Sequence, residues 1–155
     1  MASPQASQHL GSCLFGALYD HDPGATSATL VSPDGGTTIR YVDMRDYSHF
    51  MALAMSSTLT GAGITKAEIV ASATIAFSAV TVIKDSGIVA ADAVGDYVKL
   101  ECSAEEIAQE AIGAGVELRY VAVRLTCANA ADEAVVAYIA KPRHAVLDLT
   151  ATTIA

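Results

Sequence analysis

The feature that most constrains this chain is its punctuation. Residues 118–127 and 134–140 are short Ala/Val/Ile-rich runs, joined by the polar stretch Ala128-Asn129-Ala130-Ala131-Asp132. Brief runs rich in β-branched residues and bounded by turn chemistry fit strands and are too short for long amphipathic helices. Residues 116–127 and 133–140 are therefore expected to form two strands, and their order and length suggest an antiparallel hairpin. Pro142 should stop the second strand, because it cannot donate to a ladder.

The same punctuation recurs upstream. Asp34-Gly35-Gly36 marks a turn, since Asp and Gly tolerate a positive φ, and residues 37–43 follow as a β-branched and aromatic strand. Residues 47–56 are apolar on both faces and read as a central strand. Thr60-Gly61-Ala62-Gly63 breaks the pattern, and residues 66–74, 79–84 and 97–102 supply further strands, with 87–96 as a connecting loop. Ser103-Ala104-Glu105-Glu106 then has the S-x-x-E spacing of a capping box. A short helix should run from Ala104 to about Ile112, closed by Gly113 and Gly115. Six or seven short strands and one helix imply a mainly β chain, an antiparallel β-sandwich, with a partly open barrel as the rival.

Residues 1–36 differ in style. Leu10, Leu14, Phe15 and Leu18 have a spacing that would share one helical face, although Gly11 and Gly16 oppose a helix. This stretch is expected to be an N-terminal arm that orders by packing on its own domain, residues 37–155, or on a neighbouring subunit.

Composition narrows the function classes. A chain of 155 residues suffices for one domain with a real core, but with 6% aromatic residues and no Trp that core should be built from small and β-branched side chains. A thin core with positive mean hydropathy points to burial against other subunits. The formal net charge of −8 argues against wrapping nucleic acid, which needs clustered Lys and Arg. Cys13, Cys102 and Cys127 lack C-x-x-C spacing, so neither a zinc site nor a disulfide framework is indicated, though Cys102 and Cys127 both end strand-like runs. The first ten residues lack the pattern of a secretion signal, and no run of about 18 apolar residues exists to span a membrane. Cytosolic synthesis is expected.

Convergent chemistry is sparse. Asp20-His21-Asp22 sets an imidazole between carboxylates, but Pro23 and Gly24 read as a turn rather than a metal site. There is no G-x-S-x-G elbow, and Gly61-Ala62-Gly63 lacks the Lys-Ser/Thr of a phosphate loop. Glu101, Glu105, Glu106 and Glu110 fit helix-dipole stabilisation better than a catalytic carboxylate pair. His49 reads as a core or interface histidine. Arg45 and Asp46, directly before an apolar strand, could form an intrachain pair or an intersubunit contact. No catalytic residue, metal or cofactor is expected.

Taken together, Tyr41-Val42-Asp43-Met44-Arg45-Asp46-Tyr47, the break at 59–64, the loop Ala91-Asp92-Ala93-Val94-Gly95-Asp96, then Leu118-Arg119-Tyr120-Val121 and residues 134–143 resemble small structural proteins of tailed-phage heads and gene-transfer particles. The resemblance covers about residues 37–150 and lies in strand and loop style rather than in a signature motif. It implies a capsid decoration or cement protein: a virion component on the capsid surface, made in the host cytoplasm, whose partner is the major capsid protein and whose assembly is a homotrimer. A head-tail connector, neck or tail protein is the alternative within that class. A surface carbohydrate-binding or host-adhesion module is another, with the absence of Trp against it. The residues expected at capsid or intersubunit contacts are Leu10, Leu14, Phe15, Leu18, Arg45, Asp46 and Tyr47.

Overall fold

A computed structural model of the chain describes residues 15–143, with Phe15 described for its backbone alone. The described chain is mainly β, and its strands form two antiparallel sheets. The strands are β1 (Phe15–His21), β2 (Thr29–Leu30), β3 (Val42–Asp43), β4 (Tyr47–Thr58), β5 (Ile64–Ser72), β6 (Thr81–Asp85), β7 (Tyr97–Ser103), β8 (Tyr120–Cys127) and β9 (Glu133–Pro142), with one helix, α1 (Ala104–Ala114), between β7 and β8. One sheet has the order β1-β9-β4-β7; the other runs β2-β8-β5-β6, with β3 also on β8. This is the sandwich architecture that the alternating runs imply.

The two strands expected to form a hairpin do not pair. β8 lies in one sheet, bonded to β5, and β9 lies in the other, bonded to β4 and β1. The connector 128–132 crosses between the sheets, and so does the Gly-rich connector 59–63 between β4 and β5. The two crossovers run side by side because Asp132 joins them. Its buried carboxylate accepts backbone N–H bonds from Thr60 (2.6 Å) and Gly61 (2.7 Å) on one oxygen, and from Gly63 and Asn129 (both 3.0 Å) on the other. Burial alone would raise this carboxyl's pKa, but the N–H donors of Thr60 and Gly61 outweigh it and hold it below the ordinary value. The glycines are needed for this approach. A Cβ on Gly61 would lie 2.9 Å from Asn129, and one on Gly63, whose φ is +63°, would lie 2.2 Å from the Ala91 carbonyl oxygen.

Within residues 15–36, grouped with the arm from sequence, β1 and β2 are strands of the sandwich. β1 pairs with β9 from Phe15↔Ala140 to His21↔Ala134, so residues 15–18 are strand, not the helical face their spacing allowed. The strand expected at 37–43 is reduced to Val42–Asp43. The helix follows its signals closely: Ser103 and Glu106 make the reciprocal capping box, and Gly115 closes the far end at φ +67°.

The core between the sheets is built from small and β-branched side chains, as composition requires. Ala52, Ala54, Ala134 and Val136 of one sheet face Ala67, Ile69, Val121, Val123 and Leu125 of the other. Its one large polar member is Tyr138, fully buried, whose ring meets Tyr19 and Phe50 edge-on, each at 5.1 Å. The Tyr138 hydroxyl accepts the Val123 N–H (2.9 Å) and donates to the Arg40 carbonyl (3.1 Å). It thereby fills the gap on the β8 edge between β2 and β3 and links the two sheets. Cys102 and Cys127 are separate buried thiols in different sheets. Burial pushes them up to about 12 and about 11, which leaves them protonated and inert.

Replacing Asp132 with Ala strands four backbone N–H groups and should cost about 3 kcal/mol. Asp132→Asn, which keeps one acceptor oxygen, should cost less. Urea unfolding of the two variants checks the order, and equal stability of D132A and the wild-type protein would remove the crossover clamp.

Candidate functional site: an apolar sheet face and its cleft

Each sheet has one face in the core and one facing outward, and the two outward faces differ. On the β2-β8-β5-β6 sheet, Glu68 pairs with Arg124 (2.6 Å) and Lys66 (2.8 Å), and Lys66 also reaches Asp85 (2.8 Å). Burial opposes the Glu68 charge, but its two cationic partners bring its pKa below the ordinary value. Beside this network Val70 and Ala122 are covered by Phe77 from the 73–80 loop, with Tyr41, Tyr120 and Leu30 around them. Phe77 holds a positive φ of 49° to make that contact. Phe77 thus covers the centre of this outer face, and Val82 and Ile75 stay exposed beside it.

The outer face of β1-β9-β4-β7 is different. Strand alternation puts Phe50, Ala52 and Ala54 inward, so Met51, Leu53 and Met55 point outward. Their register partners on β9 are Ile139, Ala137 and Val135. Six apolar side chains thus form a half-buried array of three rows on the two central strands. The edge strands frame it with Leu18, 70% exposed, and Tyr97, 63% exposed. Asp20, Lys99 and Glu101 complete the rim, with Lys99 and Glu101 paired at 3.4 Å.

At one end this face deepens into a cleft of about 600 Å³. Met51 and Ile139 belong to both the array and the cleft, whose polar lining comes from His49, Lys141, Ser103 and Glu101, with Lys84 and Glu106 at its wall. Lys84 and Glu106 are ion-paired, which raises the ammonium's pKa and lowers the carboxyl's. His49 Nδ1 is within hydrogen-bond distance of Ser48 Oγ (3.1 Å). Lys141 is exposed and has no ion-pair partner among the described residues.

The contact residues expected from sequence scatter. Leu10 and Leu14 lie outside the described residues, as does the side chain of Phe15. Leu18 stands on the rim of the apolar face. Arg45 does not pair with Asp46; it bonds Asp43 (3.0 Å), which also binds Arg119 (2.5 Å). The Arg119 bonds, against the cost of partial burial and with help from Arg45, hold Asp43 down to about 2. Asp46 accepts the Arg143 backbone N–H through its carbonyl (2.8 Å), and Tyr47 packs on the core. None of the three lines the cleft. Of the residues that do form the face, Met51, Leu53 and Met55 lie in the run that reads from sequence as a strand apolar on both faces, while Val135, Ala137 and Ile139 lie in a run that reads only as a strand; the sheet order shows which face is left over.

Asp20-His21-Asp22 does not converge. Neighbouring residues in a strand point to opposite faces, so His21 is buried while both aspartates are exposed, and Asp22 bonds the Gly24 N–H (3.0 Å). Among the described residues no group of three His, Cys, Asp or Glu is placed to hold a metal ion. The His21 Nδ1 accepts the Ser32 N–H (3.3 Å), which fixes a neutral ring, and its Nε2 is buried without a partner. No described helix is long and apolar enough to cross a membrane. No protein-family model matches the chain, and no curated protein or solved structure matches it.

Burial lowers the His21 imidazole to about 4, against the smaller opposing effect of the Asp22 carboxylate. An unfolded chain takes up this proton below about pH 6.5, the folded one only below about 4, so stability falls as pH falls through that window, by about 3 kcal/mol. Urea unfolding at pH 7.0, 5.5 and 4.5 should show this decline in the wild-type protein and a shallower one in His21→Phe; equal slopes would remove His21 as its source.

Proposed function

We propose that the protein is a non-enzymatic structural component of a virion head, a decoration or cement protein that binds the outside of a major capsid shell and ties neighbouring subunits together. The observation that carries this reading is the apolar outer face of the β1-β9-β4-β7 sheet, which the described residues leave over once the core is complete, while the centre of the opposite outer face is covered by Phe77 and flanked by the Glu68 network. An adhesive protein needs a rigid body, one unsatisfied apolar surface, and a remainder charged enough to stay dispersed. The sandwich supplies the first two, and the formal net charge of −8 supplies the third. The strand and loop style of residues 37–150 supports the same reading by resemblance, and a homotrimer is the assembly it favours.

The buried thiols and the enclosed His21 are poor reactive groups, and the charged side chains around the cleft are mostly paired to one another. The arrangement is suited to binding by surface complementarity. Purified protein should co-sediment with capsids assembled from the major capsid protein of the same gene cluster, saturating at a fixed, near-stoichiometric ratio of copies per subunit. A few copies per particle would instead indicate a connector or neck component, and no binding would sink the head-protein reading.

A further inference from the structure

The apolar face and the cleft are one surface, and their shape and charge specify what they take. Four strands at about 4.8 Å spacing and three rows about 6.8 Å apart make a face of about 400 Å². A standard interface buries about 800 Å² on each partner. The flat face, its rim included, is therefore half of what a stable contact needs, and the adjoining cleft, sharing Met51 and Ile139 with it, is where the rest can be buried. A flat partner surface would bridge that concavity and leave it unfilled. An extended segment crossing the array and descending into the cleft would bury both parts.

The charges name the segment's chemistry. Around the cleft each carboxylate already has a lysine: Glu106 has Lys84, and Glu101 has Lys99. Among the described residues the charge left over is the Lys141 ammonium, exposed at the end of β9 beside Ile139, with His49 across the strand pair in register with it. An acidic molecule thus presents a local cationic point at the end of an apolar track. We infer that this surface binds an extended segment of a capsid shell subunit that lays aliphatic side chains on Met51, Leu53 and Ile139 and delivers a carboxylate to Lys141. This rests on the head-protein reading and adds to it the docking surface and the chemistry of its occupant. An aliphatic stretch supplies the affinity by displacing water from the array, and the carboxylate fixes the direction in which the segment lies.

The test uses full-length protein and assembled capsids, with bound protein measured across a concentration series. Lys141→Glu should weaken binding at least tenfold, and Leu53→Asp, at the centre of the array, should reduce it to background. Ile75→Asp, on the 73–80 loop over the opposite sheet, should bind as the wild type does. Thermal unfolding of each variant confirms the fold, and exposed Lys141 provides a variant with no core contact to lose. Wild-type affinity in folded K141E and L53D would overturn the surface assignment while leaving the head-protein reading standing. Absence of binding by the wild-type protein itself would overturn both. Weakened binding by L53D with K141E unaffected would overturn the carboxylate-bearing segment and make the partner a purely apolar one.

Discussion

The arrangement of this sandwich depends on one carboxylate. Asp132 sits in the crossover between β8 and β9, yet three of its four backbone hydrogen bonds go to the crossover between β4 and β5. A charged acceptor buried with four N–H donors is strongly bonded, and three of the donors belong to a Gly-rich segment that would otherwise be an irregular loop with its amides unsatisfied. With the two crossovers held together, Ala128 N–H reaches the Gly63 carbonyl (2.8 Å), Ile64 pairs with Cys127, and Thr58 pairs with Glu133. Both central strand pairs, β4 with β9 and β5 with β8, start from this clamp. Their alignment sets which side chains face the core, since a slip of one residue would turn every one of them outward.

Tyr138 is the counterpart of the clamp in the middle of the sandwich. A core of Ala and Val leaves little to key two sheets together, and nonspecific burial would tolerate sliding. A phenol that accepts from Val123 and donates to Arg40 allows one alignment, because any other leaves a buried N–H and a carbonyl without partners. The array of Met51, Leu53, Met55, Val135, Ala137 and Ile139 is a consequence of this alignment. Apolar side chains alternate on both faces of β4 and β9, one face goes to the core, and the other is left over. Phe77 covers the centre of the equivalent surplus on the other sheet, at the cost of a positive φ, and among the described residues none gives corresponding cover to Val135, Ala137 and Ile139, which stay half-buried.

Much of the local structure was legible in the sequence, because local structure is written locally. The capping box at Ser103-Glu106, the Gly115 helix end and the apolar runs of β4, β5, β7, β8 and β9 each follow from neighbouring residues. Pairing was not legible. Alternation says which face a residue occupies and nothing about which strand lies alongside, so β8 and β9, with a five-residue connector, read as a hairpin although they belong to different sheets. The decisive residue, Asp132, looks like any turn aspartate until its carboxylate is seen to serve a segment seventy residues away in sequence. Arg45 shows the same limit: its neighbour Asp46 was the obvious partner, but strand pairing brings Arg119 to Asp43 and draws Arg45 to the same carboxylate. In β1 the spacing of Leu14, Phe15 and Leu18 is compatible with a helical face, and the pairing of Leu18 with Ala137 decides for a strand.

The edges of the open sheet bear on how its face can be used. An unprotected edge strand beside an apolar face would invite another strand to add on, and the result would be an open-ended stack of sheets. Here the edge strands carry the charges: Asp20 on β1, and Lys99 and Glu101 on β7, while the apolar side chains concentrate on the two central strands. A strand approaching sideways meets a charged rim that it would have to desolvate, whereas a segment approaching from above meets Met51, Leu53 and Ile139 first. The same placement discourages face-to-face stacking of copies, since burying the whole face would also bury Asp20 and the Lys99–Glu101 pair, and taking ionised groups out of water costs several kcal/mol each, which a single long ion pair does not repay. A narrow occupant running along the central strands touches the apolar rows and leaves the rim in water. The sheet therefore selects against its own copies and against edge addition by the placement of three charged side chains, and what remains favoured is a slender apolar track ending at Lys141.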